Sequence, residues 1–209
     1  MYRPAHFRED DPATLATFVD EHPLATLVAA TPAGLVANHI PLLRVGGDGA
    51  VVRFRGHVAR ANDLWKALPA RHPVLAIFGG PHHYVSPAWY PTKAESGEVV
   101  PTWNYAVVHA HGRIEFIDDR EWLRSLVTQL TERHESGRPA PWAVSDAPGK
   151  FIDRMLGAIV GFEIAVDRIE GKFKSSQNRN EGERAGVVGA LEAEGQAADT
   201  IGLLVRRPR

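Results

Sequence analysis

The sequence predicts an α+β fold that is mainly β: an antiparallel barrel with helices added at its periphery. Apolar segments rich in β-branched residues recur along the chain and are separated by glycine and proline turns. Helical patterns stand between some of these strands without a regular βαβ repeat, which favours antiparallel pairing over a parallel sheet. No internal repeat or low-complexity tract is present.

The first elements are a helix and three strands. Asp11 is predicted to cap the helix, Pro12 to occupy its first position, and the helix should end near His22. The strands that follow are expected to be adjacent and antiparallel, and they cover residues 24–30, 35–45 and 50–55, with turns at 31–34 and 46–49.

The remaining elements alternate between strands, helices and one long loop. Residues 81–101 hold four prolines, two tyrosines and a tryptophan, a composition typical of a binding loop rather than of regular structure. Asp118 or Asp119 should cap an amphipathic helix that carries Trp122, Leu123, Leu126, Val127 and Leu130. The other predicted elements are strands 74–78, 102–117 and 159–169, the second interrupted by Gly112, and helices 151–156 and 181–194.

Composition is that of an ordinary globular domain. The 209 residues are 44% hydrophobic and 23% charged, and no apolar run approaches the roughly 18 residues of a membrane span. We expect one domain over 1–209, with 174–209 as a C-terminal loop and helix extension, and a cytoplasmic location. Zero cysteines exclude disulfides and thiolate chemistry.

Charge gives no general attraction to nucleic acid. The formal net charge is −1, and the one basic cluster is the C-terminal Arg206, Arg207 and Arg209. DNA therefore stays a possible partner, but the near-neutral charge does not support it and the sequence has no helix-turn-helix motif.

The segment 54–65, where a predicted strand meets a short helix, is the strongest candidate for a binding site. An apolar strand ends there at Gly56 and a short helix follows with Leu64 and Trp65, so backbone N–H groups and Arg60 would favour a phosphate. The alternative is structural: Gly56 turns the corner, Asn62 caps the helix and Arg60 lies in solvent.

Metal and nucleophile sites have weaker support. His109 and His111 share one face of a predicted strand, but no third ligand follows at a telling spacing, so solvated or hydrogen-bonded histidines are the preferred interpretation and no metal is expected. The chain lacks a Gly-x-Ser-x-Gly elbow and a Walker loop, and Glu163 with Asp167 has no partner set for glycosidase chemistry.

An ordered set of short motifs resembles one family. The chain is similar to the PaiB-like FMN-binding negative transcriptional regulators, which have the antiparallel split β-barrel fold of FMN-binding proteins such as pyridoxamine phosphate oxidase. The stretches that carry the resemblance are MYRPAHF at 1–7, ANHIP at 37–41, GHVARAN at 56–62, GP at 80–81, YVSPAWY at 84–90, VPTWNY at 100–105 and GKFKSSQNR at 171–179. The family usually has leucine where this chain has Ser175.

The resemblance implies that FMN lies across a homodimer interface. Its phosphate would be held by His57, Arg60, Ala61 and Asn62, with Asn38 and His39 on the neighbouring strand. Trp103 and Asn104 would reach the flavin ring from the dimer partner, and Lys174, Gln177 and Asn178 would close the site. Trp103 and Trp89 could instead fill a core or interface.

Three functions follow from this resemblance. The first is a regulator whose output on gene expression is tuned by FMN. The second is a flavin-dependent oxidoreductase of the pyridoxamine phosphate oxidase type, and the third is a heme-binding protein on the same barrel. The sequence does not separate regulator from enzyme.

Overall fold

The computed structural model describes residues 1–46 and 51–206, and within them eight strands dominate the backbone. The strands are β1 (Arg8–Glu9), β2 (Leu24–Thr31), β3 (Gly34–Pro41), β4 (Leu43–Val45), β5 (Arg53–Ala59), β6 (His72–Val85), β7 (Thr102–Ile117) and β8 (Ile159–Lys174). The helices are α1 (Pro12–Glu21), α2 (Leu64–Ala67), α3 (Thr92–Glu95), α4 (Arg120–Glu135), α5 (Gly149–Gly157), α6 (Glu181–Ala193) and α7 (Ala198–Leu204). The turn predicted around Gly47–Gly49, the start of the next strand at Ala50, and Arg207 and Arg209 lie outside the described residues.

The strands form one antiparallel sheet. Their order is β3-β2-β6-β7-β8-β5-β4, and β1 pairs with β8 outside this path. Strands β3 and β4 stand at the two ends of this path, so the sheet curls without closing. The predicted fold, mainly antiparallel β with peripheral helices in a split barrel, is confirmed.

Three long strands carry the centre of the sheet. Along β7 the buried side chains alternate with half-exposed ones, which is the period of two expected for a strand with one face on a core. The pairing of β7 with β8 shifts register after His111, where Gly112 lies against the Ala165 carbonyl. A Cβ on Gly112 would sit 2.4 Å from that oxygen, so glycine allows the close approach of the two strands.

The end of β5 differs from the prediction. Gly56 does not turn the chain; it lies inside β5, which continues to Ala59. A Cβ on Gly56 would lie 2.6 Å from the Phe162 ring and 3.0 Å from Leu42, so this glycine makes room for core packing. Helix α2 has only one turn and begins at Leu64, which weakens the predicted helix-dipole contribution to a phosphate site.

The expected row of three adjacent strands is also wrong. The segment 35–45 breaks at Leu42, whose backbone N–H donates to the Pro23 carbonyl at 2.9 Å. Before the break, β3 pairs with β2, and after it, β4 pairs with β5 at the other end of the sheet. The segment 35–45 therefore contributes strands to both edges of the split barrel.

The C-terminal part of the chain builds a second, smaller core. Strand β6 passes through Gly79–Gly80–Pro81 as a bulge and ends at Val85, later than predicted. Helix α7, which the sequence analysis missed, packs with α6 against the loop after β6. The buried members of this core are Val85, Tyr90, Val187, Leu191, Ile201 and Leu204.

Two predicted helix caps are confirmed. Asp11 accepts a hydrogen bond from the Thr14 backbone N–H at 2.8 Å, and Asp119 accepts one from Trp122 at 2.7 Å. In the described part of the chain, helices long and apolar enough to cross a membrane are absent.

Candidate functional site

The residues predicted to bind the cofactor fall into two clusters. The joint cluster contains Asn38, His39, His57, Arg60, Ala61 and Asn62, and the distal cluster contains Trp103, Asn104, Lys174, Gln177 and Asn178. Both clusters can be located along strand β8. His57 of the joint cluster pairs with Gly161 of this strand, whereas Lys174 of the distal cluster lies near its end and pairs with Tyr105. At about 3.3 Å per residue, these positions are separated by about 40 Å of strand. One subunit therefore does not bring the clusters together.

Two asparagines join the ends of the open sheet within the joint cluster. The Asn62 side-chain amide donates to Asn38 Oδ1 at 2.7 Å, and Asn62 Oδ1 accepts from the Leu64 backbone N–H at 3.0 Å. Asn62 therefore ties β3 to the start of α2. Ala61 is exposed beside it, where backbone groups are accessible to a ligand.

Arg60 is held by oxygen atoms on three sides. Its Nη1 and Nη2 donate to Asp118 at 2.8 and 2.5 Å, Nε donates to the Gly157 carbonyl at 2.8 Å, and Nη2 also donates to the Ile159 carbonyl at 3.0 Å. The hydrogen bond to Asp118 raises the pKa of Arg60 and lowers the pKa of the carboxyl. A guanidinium has five N–H donors, and four of them are used in these bonds. One donor is therefore left for a phosphate, and the two that bond to Asp118 would become available if Asp118 moved away. The predicted phosphate contact of Arg60 stays a prediction.

His57 offers a polar atom without a partner. Its Nδ1 is buried and makes no hydrogen bond with any described residue. Burial lowers the pKa of His57, so the imidazole is neutral at physiological pH and can donate or accept one hydrogen bond. His39 lies on the outer face of β3, where its Nδ1 is 3.0 Å from Thr26 Oγ1.

Trp103 is the outward-facing member of the distal cluster. Its side chain is 53% exposed, and its ring lies 6.0 Å from Tyr84 and 6.1 Å from His82 between centroids. These rings form an accessible aromatic surface on the outer face of the sheet. Core filling, the structural alternative for Trp103, is therefore excluded within one subunit.

The other members of the distal cluster face inward or stabilise the chain. Asn104 is buried, and its amide donates to Ser176 Oγ at 2.8 Å and to the Leu204 carbonyl at 2.9 Å. Gln177 bonds to the backbone on both sides, since its amide donates to Phe173 and its oxygen accepts from Ser175. The Asn104 bonds link β7 to α7 and to the segment after β8, whereas the Gln177 bonds stay within residues 173–177. A role for Asn104 and Gln177 at the flavin stays a prediction.

Lys174 is a half-buried cation at the end of β8. Its ammonium donates to Thr102 Oγ1 and, at 2.6 Å, to the Trp103 carbonyl. Burial and the neighbouring charges of Lys172 and Arg179 lower its pKa. Lys174 forms no salt bridge with any residue in the described ranges.

A cavity of about 170 Å³ adjoins Lys174 and extends under the loop after β6. Phe7, Val100 and the Tyr90 ring supply its apolar wall, and Asn178 stands at the exposed side. Asn104, predicted to reach the flavin ring, and Lys174 and Asn178, predicted to close the site, all line this cavity, together with Tyr90 and Arg179, which were not predicted as site residues. Arg179 is the last residue of the GKFKSSQNR motif, and this position was the sequence signal from which its role at the site could have been predicted.

The structure also adds a third side chain to the histidine pair. Glu170 of β8 pairs with His109, and ligand atoms of His109, His111 and Glu170 lie within 4.8 Å of one another. The Glu170 carboxylate, however, already contacts the Met1 amine at 3.2 Å and the Arg168 guanidinium. These positive charges oppose a divalent cation, so the arrangement is better explained as a charge network.

Comparison with known proteins places these features in a family. A family model described as "Putative FMN-binding domain" matches residues 1–168. The protease synthase and sporulation protein PAI 2 of Bacillus subtilis is 34% identical over 194 residues, covering 93% of this chain and 90% of that protein. An uncharacterized protein of Emericella nidulans is 34% identical over 242 residues, covering 99% and 96%.

A solved structure supports the fold at greater distance. The flavocytochrome Anf3 of Azotobacter vinelandii superposes with a TM-score of 0.61 at 17% identity, covering 88% of this chain and 78% of that one. At this identity the likeness concerns the fold.

Proposed function

The chain belongs to the family of FMN-binding domains, as the motifs in its sequence predicted, and we propose that it binds FMN in a composite site built by two subunits of a homodimer. The observation that carries the proposal is the separation of the two clusters along β8. FMN is much shorter than this stretch of strand. A second subunit supplies the missing half if the exposed Trp103 of its distal cluster lies against the first subunit's joint cluster.

The joint cluster suits the phosphate and ribityl parts of FMN. Asn62 and Asn38 supply amide groups, and Ala61 presents backbone at the surface. His57 contributes a neutral ring whose buried Nδ1 has no partner among the described residues. Such an atom is stabilised by a hydrogen bond from or to a ligand.

Trp103 suits the flavin ring. An exposed indole beside Tyr84 provides a flat apolar surface against which an aromatic ring system can stack. In the proposed dimer, this surface covers the flavin bound by the partner and keeps water from one side of it.

The outer face of β2 and β3 supports the homodimer. Leu24, on β2, is 61% exposed, and Leu35 is 79% exposed on β3, the strand that also carries Asn38 and His39. Contact with a partner subunit would remove the apolar surface of both side chains from water. A partner placed here would cover them and reach the joint cluster.

The role that we propose is regulatory. FMN, when bound, supplies the capacity to accept and donate electrons, and this chain's residues hold its phosphate and shield its ring. We base this role on the resemblance to the PaiB-like negative transcriptional regulators; the PAI 2 relative is named for protease synthase and sporulation. We place the protein in the cytoplasm, and direct DNA binding is not part of the proposal.

Subunit complementation tests the composite site. Asn62→Ala damages the joint cluster and Trp103→Ala damages the distal cluster, so each homodimer should bind FMN weakly. In a mixed dimer, one site combines both damaged halves and the other combines both intact halves. After random subunit exchange, about one quarter of all sites should regain the parent affinity.

Fluorescence titration of FMN measures the recovery, and sedimentation verifies that subunits associate and exchange. No recovery in a sample that has exchanged subunits would place the site inside one subunit and overturn the proposal. A monomer at micromolar concentration would overturn it as well. Reduction of the bound flavin by NAD(P)H, with turnover of an acceptor, would favour the oxidoreductase alternative over the regulator.

A further inference from the structure

The cavity beside Lys174 is too small for FMN. Its volume of about 170 Å³ is below the roughly 300 Å³ at which ligand pockets for larger molecules begin. Asn104 faces this cavity, whereas its neighbour Trp103 faces outward, because successive residues of a strand point to opposite faces. We propose that the cavity binds a small carboxylate with a compact apolar body, separately from FMN.

Tyr90 provides the first argument for a ligand. The residue is only 2% exposed, and it lines the cavity. Its hydroxyl lies near Arg179 and Ser176 but makes no hydrogen bond of normal geometry with any described residue. A buried hydroxyl without a partner is costly, so a ligand that accepts a hydrogen bond from it would be stabilised.

The charges around the cavity select an anion. Lys174 has no carboxylate partner in the part of the chain that the structure describes, and two of its N–H donors point to Thr102 and the Trp103 carbonyl. The third donor remains for a ligand. Arg179 also lines the cavity, and its salt bridge to Glu183 is long, at 3.5 Å.

The lining contains no acidic side chain that would repel such an anion. Glu183 contacts Arg179 from outside the cavity and also accepts a hydrogen bond from Thr92 at 3.2 Å. The lowered pKa of Lys174 agrees with a cation that lacks its counter-ion.

Size and apolar walls narrow the class of ligand. A cavity of about 150 Å³ holds a benzene ring, so about 170 Å³ accommodates one small ring or a short branched chain with a carboxylate. Phe7 and Val100 would contact the apolar body. The carboxylate would accept hydrogen bonds from Tyr90 and Lys174.

Benzoate is a suitable probe, and benzamide is its uncharged control of nearly the same shape. Ligand-observed NMR or calorimetry on the full chain should show that benzoate binds at least tenfold more tightly than benzamide. Tyr90→Phe removes only the hydroxyl and should weaken benzoate roughly ten- to a hundredfold, the usual effect of losing a hydrogen bond to a charged group. Tyr2→Phe makes the same change at an 82% exposed position and should leave benzoate binding unchanged.

Three results would overturn the proposal: no benzoate binding, equal affinity for benzoate and benzamide, or an unchanged benzoate affinity in Tyr90→Phe. Saturating FMN should leave the benzoate affinity unchanged. Displacement of benzoate by FMN would assign the cavity to the flavin site instead. Apart from this competition, benzoate binding is measured without FMN. The result therefore tests the cavity even if FMN does not bind in a composite site between two subunits.

Discussion

The pair formed by Arg60 and Asp118 allows the phosphate assignment to be tested in both directions. If Arg60 contacts the FMN phosphate, Asp118 competes with that phosphate for the same guanidinium. Arg60→Ala should then weaken FMN, and Asp118→Asn should strengthen it. Riboflavin lacks the phosphate, so its affinity should change little in either variant.

The expected magnitudes follow from the exposure of the pair. The Arg60 side chain is 36% exposed and that of Asp118 is 55% exposed, which makes this a surface ion pair that binding can replace at small cost. Removing Asp118 should therefore strengthen FMN by at most about fivefold. Removing Arg60 deletes a charge-assisted hydrogen bond to a phosphate and should weaken FMN roughly ten- to a hundredfold.

Quenching of flavin fluorescence at low salt measures both affinities, and each variant is titrated with FMN and with riboflavin. Arg60 also bonds to the Gly157 and Ile159 carbonyls, so its loss could loosen the joint. A loosened joint would weaken both flavins together. Equal losses for FMN and riboflavin, or weaker FMN binding in Asp118→Asn, would refute a direct phosphate contact and make Arg60 a structural residue.

Three further predictions concern stability. Gly56→Ala forces a methyl group against the buried Phe162 ring and should destabilise the fold by about 1–3 kcal/mol in urea unfolding, whereas Gly189→Ala, on an open part of α6, should not destabilise it. Burial lowers the pKa of His57 from its usual 6.5, so the unfolded state binds the proton first and stability should fall as pH drops below 6.5; His57→Gln should reduce that decline between pH 7.5 and 5.5. Tyr90→Phe should raise stability by about 1 kcal/mol in the absence of ligand, and a destabilised variant would mean that the hydroxyl has a partner in the fold.

Local sequence determined much of the fold. Strand β7 begins and ends at the residues where its alternating pattern begins and ends, Thr102 and Ile117. Asp11 and Asp119 cap helices because their short carboxylates reach a backbone N–H three residues ahead, which depends only on neighbours in the chain. The family could also be predicted from the sequence, because its motifs occur in order along the chain.

Tertiary packing determined the place of Gly56 and the break at Leu42, which no local sequence pattern encodes. Gly56 has the appearance of a turn residue in sequence, but it is required inside a strand because Phe162, more than a hundred positions away, occupies the space of a side chain. Leu42 divides the segment 35–45 because the two edges of a split barrel need strands from this same segment.

The candidate site shows the same division. The residue types that suit a flavin phosphate and ring were evident from the sequence, whereas their distribution into two distant clusters depends on the antiparallel pairing of β5 and β7 with β8. The partner of Arg60 was equally hidden, because Asp118 follows a different strand and meets the guanidinium only when the sheet forms. Tyr90 acquires an unpartnered hydroxyl in the same way, since packing against α6 and α7 removes it from water and none of the residues in the described ranges supplies a hydrogen bond.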